Sequence, residues 1–106
     1  ENIRGKLFLV GAEDDALWDT AKYIRRMEKR LAEQPHTCAV EAVIYEHGTH
    51  FVSPMVCSGP CCLFGSALFV KLAFTAAKKY PKECKTARID IDRRMTHVIC
   101  DWRDKK

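Results

Sequence analysis

Two short stretches of the chain are apolar at nearly every position, whereas the segments around them are apolar only every third or fourth residue. Lys6-Leu7-Phe8-Leu9-Val10, ending at Gly11, and Cys38-Ala39-Val40-Glu41-Ala42-Val43-Ile44-Tyr45 are of the first kind. Such runs mark strands covered on both faces, as in parallel sheets. Between them Leu17, Ala21, Ile24, Met27 and Leu31 recur with helical spacing, and Lys22, Arg25, Arg26, Lys29, Arg30 and Glu33 fall on the other side. The spacing predicts an amphipathic helix over about 19–33, with Asp19 or Thr20 as N-cap and Gln34-Pro35-His36 ending it. Strand, helix and strand of these lengths form a βαβ unit. Its crossover is expected to be right-handed, which sets both strand C-termini on one edge of the sheet.

From Gly48 to Gly65 the chain reads as loop, interrupted by Pro54, Gly59 and Pro60. Ser66 to Lys79 reads as a helix that Pro81 ends. A last helix is expected from Cys84 or Thr86 to Trp102, with Ile91, Met95, Val98, Ile99 and Trp102 on its apolar face. Ile89-Asp90-Ile91-Asp92 alternates like a strand, which leaves the first turn of that helix open. The fold class is therefore α/β: strand, helix, strand, helix, with a parallel sheet flanked by helices.

At 106 residues this is one domain or part of one. Two strands leave open sheet edges and uncovered apolar faces. The expectation is a single partial domain over 1–106, incomplete on its own. It would pack against the remainder of a larger domain, or self-associate as a homo-oligomer through the exposed edge. A strand almost at the start of the chain suits such a segment.

The net charge of +4 comes from 18 basic and 14 acidic residues spread along the chain. No aromatic-basic motif accompanies the charge, so no nucleic-acid partner is expected. A mild positive field suits an anionic substrate. No apolar run approaches the roughly 20 residues of a membrane span, and the first residues do not resemble a signal peptide. A cytoplasmic protein with no membrane partner is expected.

The six cysteines are Cys38, Cys57, Cys61, Cys62, Cys84 and Cys100. Without a secretory signal they read as free thiols. Cys57-Ser58-Gly59-Pro60-Cys61-Cys62 is not a pair of spaced Cys-x-x-Cys motifs, so neither metal nor cofactor is expected. A cysteine-based metal or ligand module, with His47, His50 and Cys84 as further donors, stands as the alternative, beside a non-catalytic interaction module.

The loops after the two strands carry the candidate chemistry. The first holds Glu13, Asp14 and Asp15; the second holds His47 and His50 in Tyr45-Glu46-His47-Gly48-Thr49-His50. Ligands of open α/β sheets bind at the edge where these loops lie. A carboxylate there can orient an imidazole as general base. Asp15 and His50 are the leading pair, with Asp14, Glu13 and His47 as competitors. Gly48 is expected to use backbone geometry closed to other residues and so project His50 toward the cleft. The acidic run also has a plainer reading, as charge favourable to the N-terminus of the following helix. No nucleophile elbow is present: Gly59-Pro60-Cys61-Cys62-Leu63 lacks the second glycine and a preceding strand, and Ser53, Ser58 and Ser66 have no such setting.

Residues 3–54, read as strand, Gly-x-x-Asp-Asp-x-Leu-Trp, amphipathic helix, strand and Tyr-x-x-Gly-Thr-His, resemble the end of an α/β-hydrolase. More narrowly, they are similar to the C-terminal domain shared by acyl-CoA thioester hydrolases and bile acid-CoA:amino acid N-acyltransferase. Asp-Asp-x-Leu-Trp is the more specific motif, and the cysteine-rich stretch after Pro54 is no part of the likeness. The resemblance implies a Ser (or Cys)–His–Asp triad acting on acyl-CoA or other acyl esters. Asp15 takes the acid's place and His50 the histidine's. The nucleophile would precede residue 1, so this chain alone is expected to be inactive.

Overall fold

The computed structural model describes residues 3–50 and 74–105. Strands β1 (Lys6–Ala12) and β2 (Ala39–Tyr45) pair in parallel, in a register running from Lys6 opposite Ala39 to Ala12 opposite Tyr45. The Ala39 N–H donates to the Gly5 carbonyl at 3.0 Å and the Glu13 N–H to the Tyr45 carbonyl at 2.9 Å, which carries the pairing past both ends. β1 outlasts its apolar run: Gly11 lies inside the strand rather than ending it, and β2 begins one residue after Cys38.

Helix α1 (Thr20–Glu33) joins the strands. Asp19 is its N-cap, the Oδ1 accepting from the Lys22 N–H at 3.0 Å. Gln34 leaves the helix in extended geometry, the conformation that Pro35 favours in the residue before it. Helix α2 (Thr75–Lys79) and helix α3 (Pro81–Asp104) follow. Residues 66–73 of the expected helix, and the expected loop beyond His50, lie outside the described residues.

α3 begins earlier than its pattern predicts, at Pro81 rather than Cys84 or Thr86. Proline has no N–H to leave unpaired and a pre-set φ, so the residue that ends α2 also opens α3. Ile89 to Asp92 are helical, and their alternation is coincidental: Ile91 is fully buried while Ile89 is half exposed. The last turns depart from expectation too. Ile99 and Trp102 stay exposed, lining with Val98 a groove of about 530 Å³ beside Gly5 and Lys6.

Alternation along β1 explains why the strand is apolar throughout. Phe8, Val10 and Ala12, with Tyr45 of β2, pack on Ala87 and Ile91 of α3. On the opposite face Gly11 lies against Thr20 and Ile24 of α1, and Leu7 and Leu9 line a groove together with Met27 and Leu31 of that helix. The sheet thus lies between two helices, the three-layer α/β arrangement. Among the described residues no helix is long and apolar enough to cross a membrane.

A polar bridge fixes α3 on β2. The Tyr45 hydroxyl donates to Asp90 Oδ2 at 2.9 Å, and Arg94 Nε donates to the same oxygen at 2.7 Å. Burial first, then Asp90, pushes the Tyr45 phenol well above its usual range, so it stays a donor at any ordinary pH. Tyr45→Phe is expected to cost about 1 kcal/mol, the usual net worth of such a bond. A urea midpoint unchanged by the substitution would show that the bridge contributes nothing.

Candidate active site

Each of the three acidic residues after β1 has its own partner. Glu13 pairs with the Arg25 guanidinium of α1. Asp14 Oδ2 lies 2.7 Å from His47 Nδ1, and Asp15 Oδ2 lies 2.9 Å from His50 Nδ1. None of the three is in the first turn of α1, so the helix-terminus reading of the acidic run does not hold. Asp19 does that work instead, through its side-chain cap. Asp14 and His47 therefore do not compete with Asp15 and His50; both pairs form at once.

The positions follow from the sheet. Parallel pairing brings Ala12 and Tyr45, the last residues of the strands, opposite each other, so the chains diverge into loops from one edge. Thr20 holds the first loop closed at its far end. Its Oγ1 accepts from the Ala12 N–H at 3.1 Å and donates to the Ala12 carbonyl at 3.2 Å. Gly11 allows that approach: a Cβ there would sit 2.7 Å from Ile24 Cδ1 and 3.0 Å from Thr20 Cβ. In the second loop Gly48 and Thr49 are buried. Gly48 does not use the left-handed backbone expected of it, since no described glycine has positive φ.

Asp15 is the better-built of the two acids. Its side chain is only 2 % exposed, against 37 % for Asp14. Its Oδ1 accepts from the backbone N–H groups of Leu17 at 3.0 Å and Trp18 at 3.3 Å, while Oδ2 faces His50. Burial alone would push this carboxyl up. The His50 hydrogen bond and the two backbone donors outweigh burial and hold it below its ordinary value. A carboxylate only accepts, so Nδ1 of His50 carries the proton and the basic lone pair is on Nε2. The Trp18 ring lies against the imidazole, with centroids 4.8 Å apart and planes tilted by 53°.

Asp15 and His50 line a cleft of about 220 Å³ with Gly11, Ala12, Thr49 and Met95 of α3. His47 instead stacks on the Tyr80 ring, centroids 3.6 Å apart and planes 11° apart, and borders a separate pocket with Lys82, Glu83 and Asp90. The arrangement at Asp15 and His50 can hold one imidazole tautomer and stabilise the imidazolium that forms when Nε2 takes a proton. Thr20, Trp18, Tyr80 and Met95 also shape the two pairs, and no local pattern in the chain marks them for it. The doubled Asp-Asp and His-x-x-His spacings were the signal that two pairs could form together.

The depressed Asp15 carboxyl carries a stability consequence. A group whose folded pKa lies below its unfolded one stabilises the fold fully above the unfolded value, and that contribution is lost as pH falls through the folded value. The melting-temperature gap between wild type and Asp15→Asn is therefore expected to be constant above about pH 5 and to shrink below about pH 4. A gap that widened on acidification would contradict the assigned shift.

Cys38, Cys84 and Cys100 are free thiols, and no described group of three or more His, Cys, Asp and Glu side chains is arranged to hold a metal ion. Cys57, Cys61 and Cys62 lie outside the described residues. No curated protein and no solved structure matches the chain. A family model described as BAAT/acyl-CoA thioester hydrolase C-terminal matches residues 1–89, which takes in both strands, α1, both loops, α2 and the first turns of α3, and extends the likeness past residue 54 through the cysteine-rich stretch expected to lie outside it. The chain thus belongs to the BAAT/acyl-CoA thioester hydrolase C-terminal family, and with it to hydrolase domains related to acyl-CoA thioesterases and acyltransferases.

Proposed function

We propose that Asp15 and His50 are the acid and base of a Ser (or Cys)–His–Asp triad that cleaves acyl-CoA thioesters or related esters. The nucleophile would come from sequence ahead of residue 1. The observation that carries this reading is the 2.9 Å bond between Asp15 Oδ2 and His50 Nδ1, made by a carboxylate that two backbone donors already fix. Membership of the family supports the substrate class.

In the intact enzyme His50 Nε2 takes the proton of the nucleophile's hydroxyl or thiol as that atom bonds to the thioester carbonyl carbon. Asp15 stabilises the imidazolium. The carbon–sulfur bond of the substrate breaks, and the imidazolium returns the proton to the departing coenzyme A thiolate. Water or an amine then attacks the acyl-enzyme, again giving its proton to His50, and the nucleophile leaves with that proton restored. The remainder of the hydrolase domain would add its sheet along the edge of β1 that β2 does not cover.

The test is release of coenzyme A thiol from acyl-CoA by the intact polypeptide, by its His50→Ala form and by residues 1–106 alone. Turnover by the first and only background from the other two is the expected result. Undiminished release by His50→Ala would remove the proposal.

A further inference from the structure

The second pair, Asp14 with His47, takes no part in the chemistry described above; its acid is more exposed than Asp15, yet its hydrogen bond is as short as the first. We infer that it is a positioning clamp that holds Asp15 and His50 in register; this rests on reading Asp15–His50 as the catalytic acid and base. A single hydrogen bond between two loops lets them pivot about it. Here a second bond of 2.7 Å joins the same two loops, one residue away on the first and three residues away on the second. Two bonds at separate points remove the pivot. The Asp15 carboxylate and the His50 ring then keep one relative orientation.

The clamp is itself anchored. Tyr80, whose ring lies flat on His47, is the junction of α2 and α3. Its N–H donates to the Ala76 carbonyl at 2.8 Å and its carbonyl accepts from the Cys84 N–H at 3.0 Å, so the ring is fixed by the ends of two helices. The titratable and charged groups around His47 are Asp14, Glu46 with Oε1 4.0 Å from Nε2, and Lys82, Glu83, Asp90 and Tyr45 in the shared pocket. Lys79 lies over the ring of Tyr80. His47 borders that pocket and not the cleft of Asp15 and His50, which makes it a positioning residue rather than a catalytic one.

The experiment uses the intact polypeptide labelled with ¹⁵N at histidine. In the wild type both His47 and His50 are expected as Nδ1–H tautomers. His47→Leu is expected to shift His50 toward the Nε2–H tautomer and to lower kcat by about 10–100-fold with KM within twofold, as for displacements of about 1 Å. His47→Asn, whose amide Nδ2 stands where Nδ1 stood, keeps the donor to Asp14 and is expected to bring kcat to within about threefold of wild type. Asp14→Ala, at a partly exposed loop position, gives the same tautomer shift should His47→Leu fail to fold. An unchanged His50 tautomer and unchanged kcat in His47→Leu, or in Asp14→Ala, would overturn the clamp. Full activity in His50→Ala would instead overturn the catalytic reading, and the tautomer measurement would still decide the clamp.

Discussion

Asp15→Asn in the intact polypeptide is expected to lower kcat by about 10⁴-fold and to leave KM within a few-fold, the size of loss that follows when a triad acid becomes an amide. The cause is the tautomer and not the packing. Asp15 accepts at both oxygens: Oδ1 from Leu17 and Trp18, Oδ2 from His50. With the amide oxygen held by the two backbone donors, its NH₂ group faces Nδ1. A donor against a donor forces the imidazole proton to Nε2, the atom that must be basic. Substrate contacts remain, so binding is preserved while the chemical step is lost. A loss of less than tenfold, with the fold intact by circular dichroism, would show that Asp15 does not orient the base.

Gly11→Val is expected to destabilise the fold by about 2–3 kcal/mol, the upper part of the range for overpacking. β-propensity alone predicts the opposite sign, since valine favours strands and glycine weakens them. The close approach of α1 decides the outcome. The new Cβ would meet Ile24 Cδ1 at 2.7 Å, and a side-chain end can swing aside. It would also meet Thr20 Cβ and Oγ1, each at 3.0 Å, and these cannot yield so easily. Thr20 Oγ1 is bonded twice to Ala12 and Thr20 is the first residue of the helix. Relief therefore requires α1 to lift from β1, which opens the loop that carries Asp14 and Asp15. A lowered urea midpoint at unchanged slope is the expected readout. A raised midpoint would mean that strand propensity outweighs the contact.

The parts of the molecule legible in the sequence are those set by local periodicity. Two unbroken apolar runs around an amphipathic helix have one common solution, a parallel βαβ unit, and the register that pairs Ala12 with Tyr45 delivers both loops to one edge. That is why Asp15 and His50 could be put side by side from their places in the chain. Less legible was whatever depended on a partner distant in sequence. The competition among Glu13, Asp14 and Asp15 was resolved only by Arg25, His47 and His50, each on another element. Pro81 reads as a stop for the helix before it, and equally opens the helix after it. Ile89 to Asp92 alternate like a strand but are helical, with Ile91 buried, Ile89 half exposed and Asp90 accepting from Tyr45 of the sheet. Glycine at position 48 suggested a special backbone, whereas its buried setting is what the structure displays.

Ile99 and Trp102, beyond the residues that the family model matches, keep more than half of their surface exposed. They account for the mismatch between the apolar periodicity of α3 and its burial. Among the described residues, Ala87 and Ile91 are what this helix gives to the core of the sheet, with Asp90 and Arg94 supplying the polar bridge.

That a carboxylate and an imidazole act as one unit is a statement about coupling, and a double-mutant cycle in the intact polypeptide measures it. Thiol release from acyl-CoA would be compared for wild type, Asp15→Asn, His50→Ala and the double variant. Groups that work as one unit are far from additive, so the double variant should turn over at about the rate of His50→Ala alone. Losses that multiply, with the double variant slower than either single one by the full factor of the other, would mean that Asp15 and His50 contribute separately and that the bond between them is not the working part of the site.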